Sequence, residues 1–544
     1  MIASPPTEHR GRAAPAGADR IALALLQAGV AAVVLAAAPF TLFDLERHAV
    51  PKELALHLAA AGSAALCLAR ARRLSLALAD LLLAAFLLLS ALSALLASNH
   101  WLAVRSLGVT VSGVLVFWTA RALRSAGLGR PLLLTFAAGV VVAAVTALLQ
   151  AYGVESSLFA ERRAPGGVFG NRNFMAHFVA LGTPLLLLAT LESRRRREVW
   201  LPAAGAVILG ATLVLSRSRA AWLGTVAAAV ILVIEGLWFG GLWRDVISRR
   251  RVLIFALGLG VGGVLALVLP NTLEWRSESP YLDSLKDVAN FREGSGAGRL
   301  VQYANSLRMA ADHPLLGVGP GNWAVAYPRY TTPGDPAFDP TDFIPTNPWP
   351  SSDWIASIAE RGLPAALMLA AGVAALVLGA WHRWRAAPHT TEGAESLALI
   401  LIVATTGVVG SFDAVLLLPA PTLFVWGTVG LLARPPKRSV QEIVLDRTRA
   451  RRLAWTVAAL GILFAGRNAS QLGAMAAYGT AGRLADMERA AMLDPGSYRI
   501  RMLLGYAWRN RGRCDRAREQ GARAQRLYPN HPAPKQLLAA CGRR

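Results

Sequence analysis

Residues 249–270 read RRRVLIFALGLGVGGVLALVLP. Three arginines precede an uncharged apolar run, Val252 to Leu269, and a proline follows it. A run of that length crosses the hydrocarbon core of a bilayer as a helix, and arginines on one flank mark the end that stays inside. The pattern repeats along the chain. Apolar runs fall near 21–42, 54–70, 74–97, 103–120, 131–152, 174–191, 199–215, 220–240, 252–269, 355–382, 396–412, 416–433 and 453–469. That gives about thirteen spans, or about twelve if the two around Asp413 form one re-entrant unit. The expected fold is therefore all-α, a polytopic bundle of membrane helices.

Composition agrees. Hydrophobic residues make up 54% of the 544 residues and charged residues 16%, with a mean hydropathy of +0.43. A soluble globular chain carries more charge. The net charge of +23 would otherwise suggest nucleic acid. The basic residues, however, sit in short loops between apolar runs, as at Arg194 to Arg197 and Arg249 to Arg251, so they read as membrane anchors and no nucleic-acid partner is expected. The first twenty residues are polar, with Arg10, Arg12 and Arg20, and are read as an inside tail followed by a signal-anchor helix. Alternate loops are then basic, ending with the most basic one, 434–452. This places 270–353, the one long loop between spans, outside. Long loops of membrane enzymes carry function, and the alternative is a disordered linker.

The tail from 471 to 544 is different. It lacks a span, and Leu493-Asp494-Pro495 and Leu527-Tyr528-Pro529 stand at the 34-residue tetratricopeptide period. A helical-repeat tail that could engage a protein partner is expected, against a generic helical hairpin. Of the three cysteines, Cys514 and Cys541 could pair if the tail lies in an oxidising space. No CxxC or Cys/His spacing suggests a metal, and no Walker or Rossmann fingerprint appears. No broken-helix inverted repeat is evident, which counts against a secondary transporter.

Four external segments carry candidate chemistry. Arg162-Arg163 with Asn171-Arg172-Asn173 precedes the sixth span, and arginine forks suit phosphate oxygens. Arg217 and Arg219 flank Ser218 on an external turn, against the positive-inside bias. Gly294-Ser-Gly-Ala-Gly-Arg299 and Gly317-Val-Gly-Pro-Gly321-Asn322 read as tight turns whose N–H groups could face an anion. Asp353 and Glu360, seven apart at the start of the tenth span, would share a helix face, and an acid there could act as a base, with helix capping as the alternative.

In order and spacing these segments resemble the O-antigen ligase and polysaccharide-polymerase superfamily. The resemblance rests on Phe169-Gly-Asn-Arg-Asn-Phe174, Ser218-Arg-Ala-Ala-Trp-Leu-Gly224, Gly298-Arg299, Asp312-His-Pro-Leu-Leu-Gly-Val-Gly-Pro-Gly-Asn322, Ala359-Glu-Arg-Gly-Leu363, and Ser411-Phe-Asp413 with Pro419. It covers about 20–470, and a tetratricopeptide tail is a frequent companion in one subgroup. The resemblance implies a bacterial inner-membrane enzyme, with a 1–20 cytoplasmic tail, a 21–470 transmembrane domain and its large loop in the periplasm. It implies inverting, metal-independent and cofactor-free transfer of a glycan from undecaprenyl diphosphate. Acceptors in the family are lipid A-core sugar, a further repeat unit (polymerases) or a protein hydroxyl (O-oligosaccharyltransferases). Arg219 and Arg299 would bind the diphosphate, with Arg172, Arg163, Asn173 and Arg217 as further substrate contacts. The chain departs from the family at one place. The expected catalytic histidine at the start of the tenth span falls on Ser351, and the following asparagine on Ser352, while Asp353 and Trp354 keep the pattern. A hydroxyl cannot replace imidazole as a base near neutral pH. Asp353 or His313 is the expected substitute. Without a substitute, the chain would be a silent envelope-glycan assembly or transport protein.

Overall fold

The computed structural model describes residues 17–39, 46–159, 163–287, 290, 292, 294–339, 348–434, 440–479 and 483–542. Arg10, Arg12, Arg162, and part of the large loop (340–347) lie outside the described residues. The membrane part is built from α1 (Gly17–Leu35), α2 (Glu46–Arg70), α3 (Leu78–Leu95), α4 (His100–Ser125), α5 (Gly129–Ala151), α6 (Arg172–Leu191), α7 (Trp200–Ser216), α8 (Arg219–Ile234), a short α9 (Gly241–Arg244) and α10 (Val246–Val268). The loop contributes α11 (Pro280–Lys286), α12 (Gly294–Asp312) and α13 (Trp323–Ala326). The chain then re-enters the bundle as α14 (Asp353–Ala386), α15 (Thr391–Val409), α16 (Pro419–Leu432) and α17 (Arg447–Gly479). The tail adds α18 (Leu484–Leu493), α19 (Tyr498–Asn510), α20 (Cys514–Leu527) and α21 (Pro532–Ala540).

Among the described residues 11 helices are long and apolar enough to cross a membrane. Each of the thirteen apolar runs coincides with a helix. The two outside the count of 11 are α16, which is only 14 residues long, and α17, whose 33 residues are diluted by arginines and amides. The chain is a multi-pass membrane protein. Leu253, Leu257, Val264 and Leu267 of α10 stay exposed in the bundle, as lipid-facing residues must. In contrast, α6 is buried along nearly its whole length and forms the centre.

The two ends of the bundle differ chemically. At the basic end, β1 (Arg73–Leu76) pairs antiparallel with β2 (Gln441–Val444). Arg124 and Arg434 share the Glu395 carboxylate at 2.6 and 2.9 Å, and Arg251 caps Leu191 and Ser193 carbonyls. At the other end lies the large loop, which is folded: Met309, Trp323 and Tyr327 form a buried core with Ala359 of α14. This core is at odds with a disordered linker.

The sequence left open on which side the tail lies. α17 runs antiparallel to α2, with Asn468 donating to Glu53 (2.9 Å) and Gln471 to Glu46 (3.1 Å), so the tail emerges at the loop end. There Gly496 sits against Trp101, Asn99 donates to the Gly496 carbonyl, and the His531 ring meets Phe338 of the loop edge to face. Cys514 and Cys541 are joined as a disulfide, a bond that persists in an oxidising space. Both α18 and α20 end on the leucine of the two spaced triplets, Leu493 and Leu527.

Asp494 closes this junction. Burial, aided by the negative charge of Glu46, pushes its carboxyl up to about 6, against the pull of Arg467 and Arg105. An unfolded aspartate titrates near ~3.9. A carboxyl raised on folding is held protonated by the folded state, so stability falls as pH rises from about 4 through about 6. Asp494→Asn is expected to be more heat-stable than the parent at pH 7.5 and to lose this part of the pH dependence. Identical melting-versus-pH curves for the two proteins would contradict the assignment.

Candidate functional site

The α7–α8 turn is the hinge of the site. Arg217 has a left-handed backbone (φ 53°), which turns its side chain away from that of Arg219. Arg217 and Arg172 both lie over the Trp275 ring, at 4.6 and 4.9 Å from its centre, a cation–π arrangement that holds two like charges close. Arg217 also donates to Ser284 of α11 at 2.9 Å. Arg163 and Arg276 join them around an open cavity of about 1070 Å³ that also exposes Glu155 and Glu274. Arg172 is fixed from behind, because its N–H bonds the Arg163 carbonyl at 3.0 Å and Asn171 caps α6 by accepting from the Asn173 N–H at 2.9 Å. Asn173 thus has its N–H taken up by the cap and does not line the cavity.

Arg219 faces the other way. It donates to the Asp287 carbonyl at 2.5 Å and to Ser295 Oγ at 2.6 Å, tying α8 to the start of α12. The charge of Arg299, one turn further along α12, is felt at Arg219, at His177 of α6 and at Tyr303. Tyr303 hydroxyl bridges the Ser351 and Ser411 carbonyls, 2.7 Å from each. Burial pushes this phenol up to about 12, so it stays a donor at neutral pH. The α15–α16 turn, with Asp413 half-buried in it, therefore stands one hydroxyl away from Ser351. His177 lies behind Asp413: Nδ1 is 4.0 Å from Asp413 Oδ2, and Nε2 is 3.3 Å from Ser218 Oγ.

Several sequence expectations meet a different geometry. Gly294–Arg299 opens helix α12 instead of a tight turn, and Gly298 lets Pro336 approach where a Cβ would be only 3.0 Å away. The Gly317–Gly321 turn does not offer its first N–H groups to an anion: Val318 and Gly319 donate to the Ala359 and Glu360 carbonyls at 3.0 and 2.9 Å. Those carbonyls are free because α14 is broken at Gly362, a broken helix the sequence did not reveal. Asp353 and Glu360 share the first segment of α14, yet both are buried against backbone donors. Both Asp353 oxygens accept from Val415 and Leu416 N–H at 3.0–3.1 Å, while Glu360 lies 3.4 Å from the Trp323 N–H. His313 is exposed beyond the far end of α12, roughly 21 Å of helix rise from Arg299. Ser351 has its N–H held by Gln302 at 2.9 Å and its carbonyl by Tyr303.

The structure thus brings Arg219, Arg299 and Ser351 to one place, and gathers Arg163, Arg172 and Arg217 around the adjoining cavity. His313 stands apart, and Asp353 serves as a clamp on the α15–α16 turn. His177, Tyr303 and Trp275 went unrecognised in the sequence. A histidine inside an apolar span is a functional signal by itself, and it was the one available pointer. Among the described residues no group of three or more His, Cys, Asp or Glu is arranged to hold a metal.

Residues 204–370 match the family model described as O-antigen ligase. The match runs from α7 past the break in α14 and takes in Arg217, Arg219, Arg299, Ser351 and Asp353. It supports the superfamily resemblance and a glycosyltransferase of the ligase or polymerase type. Arg163, Arg172, His177, Asp413 and the tail lie outside it. No curated protein matches the chain.

Proposed function

We propose that this protein transfers a glycan from an undecaprenyl-diphosphate carrier to an envelope acceptor on the periplasmic face of the bacterial inner membrane. The observation that carries the reading is the convergence of Arg219 from α8 and Arg299 from α12 at the boundary between bundle and loop. Two guanidinium groups on separate elements fit the diphosphate of a lipid-linked donor, whose charge grows as the glycosidic bond breaks. Donors fixed before the reaction stabilise that charge without reorganisation cost. The chemistry needs no metal, since the arginines neutralise the leaving group. Direct displacement at the anomeric carbon by an acceptor hydroxyl inverts its configuration. The cavity around Trp275 extends the cationic surface and suits the polar part of the donor. We infer that the tail, which rests on the loop, engages an acceptor or a protein partner.

A deletion strain tests the reading. Loss of glycan attachment to lipid A-core is expected for a ligase, and loss of long chains for a polymerase. An unchanged envelope glycan profile, together with no transfer by the purified chain, would refute it and favour a silent assembly protein.

A further inference from the structure

The site lacks the imidazole expected at position 351, yet an imidazole is present on another element. We propose that Asp413 is the base that deprotonates the acceptor hydroxyl, and that His177 positions it; the proposal rests on the transferase reading above. Three observations support it. First, the Tyr303 hydroxyl bridges the Ser351 and Ser411 carbonyls at 2.7 Å each, so the Asp413 turn borders the position where a base is missing. Second, Asp413 stays accessible, with 15% of its side chain exposed, whereas Asp353 is buried and both its oxygens accept from backbone N–H groups. Third, His177 is 1% exposed, and among the described residues its Nδ1 has no hydrogen-bond partner.

A buried imidazole nitrogen without a partner is costly. Its nearest acid is Asp413, at 4.0 Å. When the Ser218 hydroxyl donates to Nε2, the ring proton sits on Nδ1, the nitrogen 4.0 Å from the Asp413 carboxylate. The second carboxylate oxygen, Oδ1, is held by the Ala414 N–H at 2.8 Å. Asp413 thus has the Ala414 N–H on one oxygen and the His177 ring beside the other.

The step balances as follows. The acceptor O–H bond breaks and its proton passes to Asp413. The oxygen forms a bond to the anomeric carbon as the carbon–phosphate oxygen bond breaks. The electron pair leaves with undecaprenyl diphosphate, next to Arg219 and Arg299. Asp413 then returns the proton to solvent through its exposed edge. His177 touches no reacting atom and is a positioning residue.

The test uses the full chain in detergent with the lipid-linked glycan pool of its own host as donor, and undecaprenyl diphosphate as the binding probe. Asp413→Asn is expected to lower kcat at least ~100-fold, a typical general-base contribution, while binding undecaprenyl diphosphate like the parent. His177→Ala is expected to lower kcat about tenfold with KM unchanged and to move the acid limb of the kcat–pH profile, which a purely structural residue would leave in place. Adding Ser351→His to His177→Ala is expected to restore part of the loss. If Asp413→Asn also loses binding, Asp413→Glu decides: recovered transfer supports the base, and none overturns it. Wild-type kcat in Asp413→Asn beside an inactive Arg299→Ala would overturn this proposal and leave the transferase reading standing. Normal transfer by Arg219→Ala and Arg299→Ala as well would overturn both.

Discussion

Arg299→Ala is expected to reduce glycan transfer by ~10²–10³-fold, the loss seen when one preorganised charge-stabilising donor is removed. Arg219→Ala should match it. The two residues are not equivalent structurally, and the difference allows a control. Arg219 spends its guanidinium on the Asp287 carbonyl and Ser295, so its loss also loosens the start of α12. Arg299 makes no such tether among the hydrogen bonds described. Arg299→Ala should therefore keep the parent's thermal stability while losing activity, and Arg219→Ala should lose the same activity together with a little stability. Lysine at 299 should recover only part of the rate, because an ammonium is a point charge and cannot bond two phosphate oxygens as a planar fork. The measurement is transfer from lipid-linked donor by each purified variant, beside its melting temperature. Full activity in Arg299→Ala would remove the main support for a diphosphate site here.

The fold was largely legible in the sequence because membrane helices announce themselves through length and flanking charge. Each apolar run became a helix, and the alternating arginines gathered at one end, as the Arg124–Glu395–Arg434 cluster shows. The arginines of the site were legible too, since cations on an external turn oppose the prevailing bias. What could not be read was tertiary. Whether Gly317 and Gly319 present N–H groups to a ligand depends on what else lies within reach, and here the broken α14 takes them. Asp353 looked like chemistry because it stands beside the missing histidine, but the N–H groups of Val415 and Leu416 (sixty residues on) consume it. Conversely, His177 reads as one polar residue in an apolar span, and only packing places it against Asp413 and Ser218. The side of the tail also needed the structure, because α17 is too rich in arginine and amide to score as a span while still running the length of α2.

The break in α14 carries the second large effect. Gly362 has φ 81° and ψ 164°, a region essentially closed to other residues, and a Cβ there would lie 2.2 Å from the Leu315 carbonyl oxygen. Gly317 faces it with φ 64°, and its Cβ would lie 2.4 Å from the Glu360 carbonyl carbon. The two glycines let loop and helix interlock, backbone to backbone: Leu363 donates to Pro314 at 2.8 Å, and Val318 and Gly319 donate to Ala359 and Glu360. These bonds satisfy the polar groups that a broken membrane helix would otherwise leave exposed. Gly362→Ala therefore carries roughly 1–3 kcal/mol of backbone strain and a clash with the partner strand of the lock. The expected result is an undocked loop, faster protease cleavage within 270–353, a lower melting temperature and lost transfer, with Gly317→Ala behaving alike. Gly466, in α17, has open space where its Cβ would go, and Gly466→Ala should be neutral or slightly stabilising. Activity should fall further than the melting temperature alone implies, because the first segment of α14 begins at Asp353, which clamps the turn that holds Asp413. Parent-like protection of the loop in Gly362→Ala would show that the lock does not hold it.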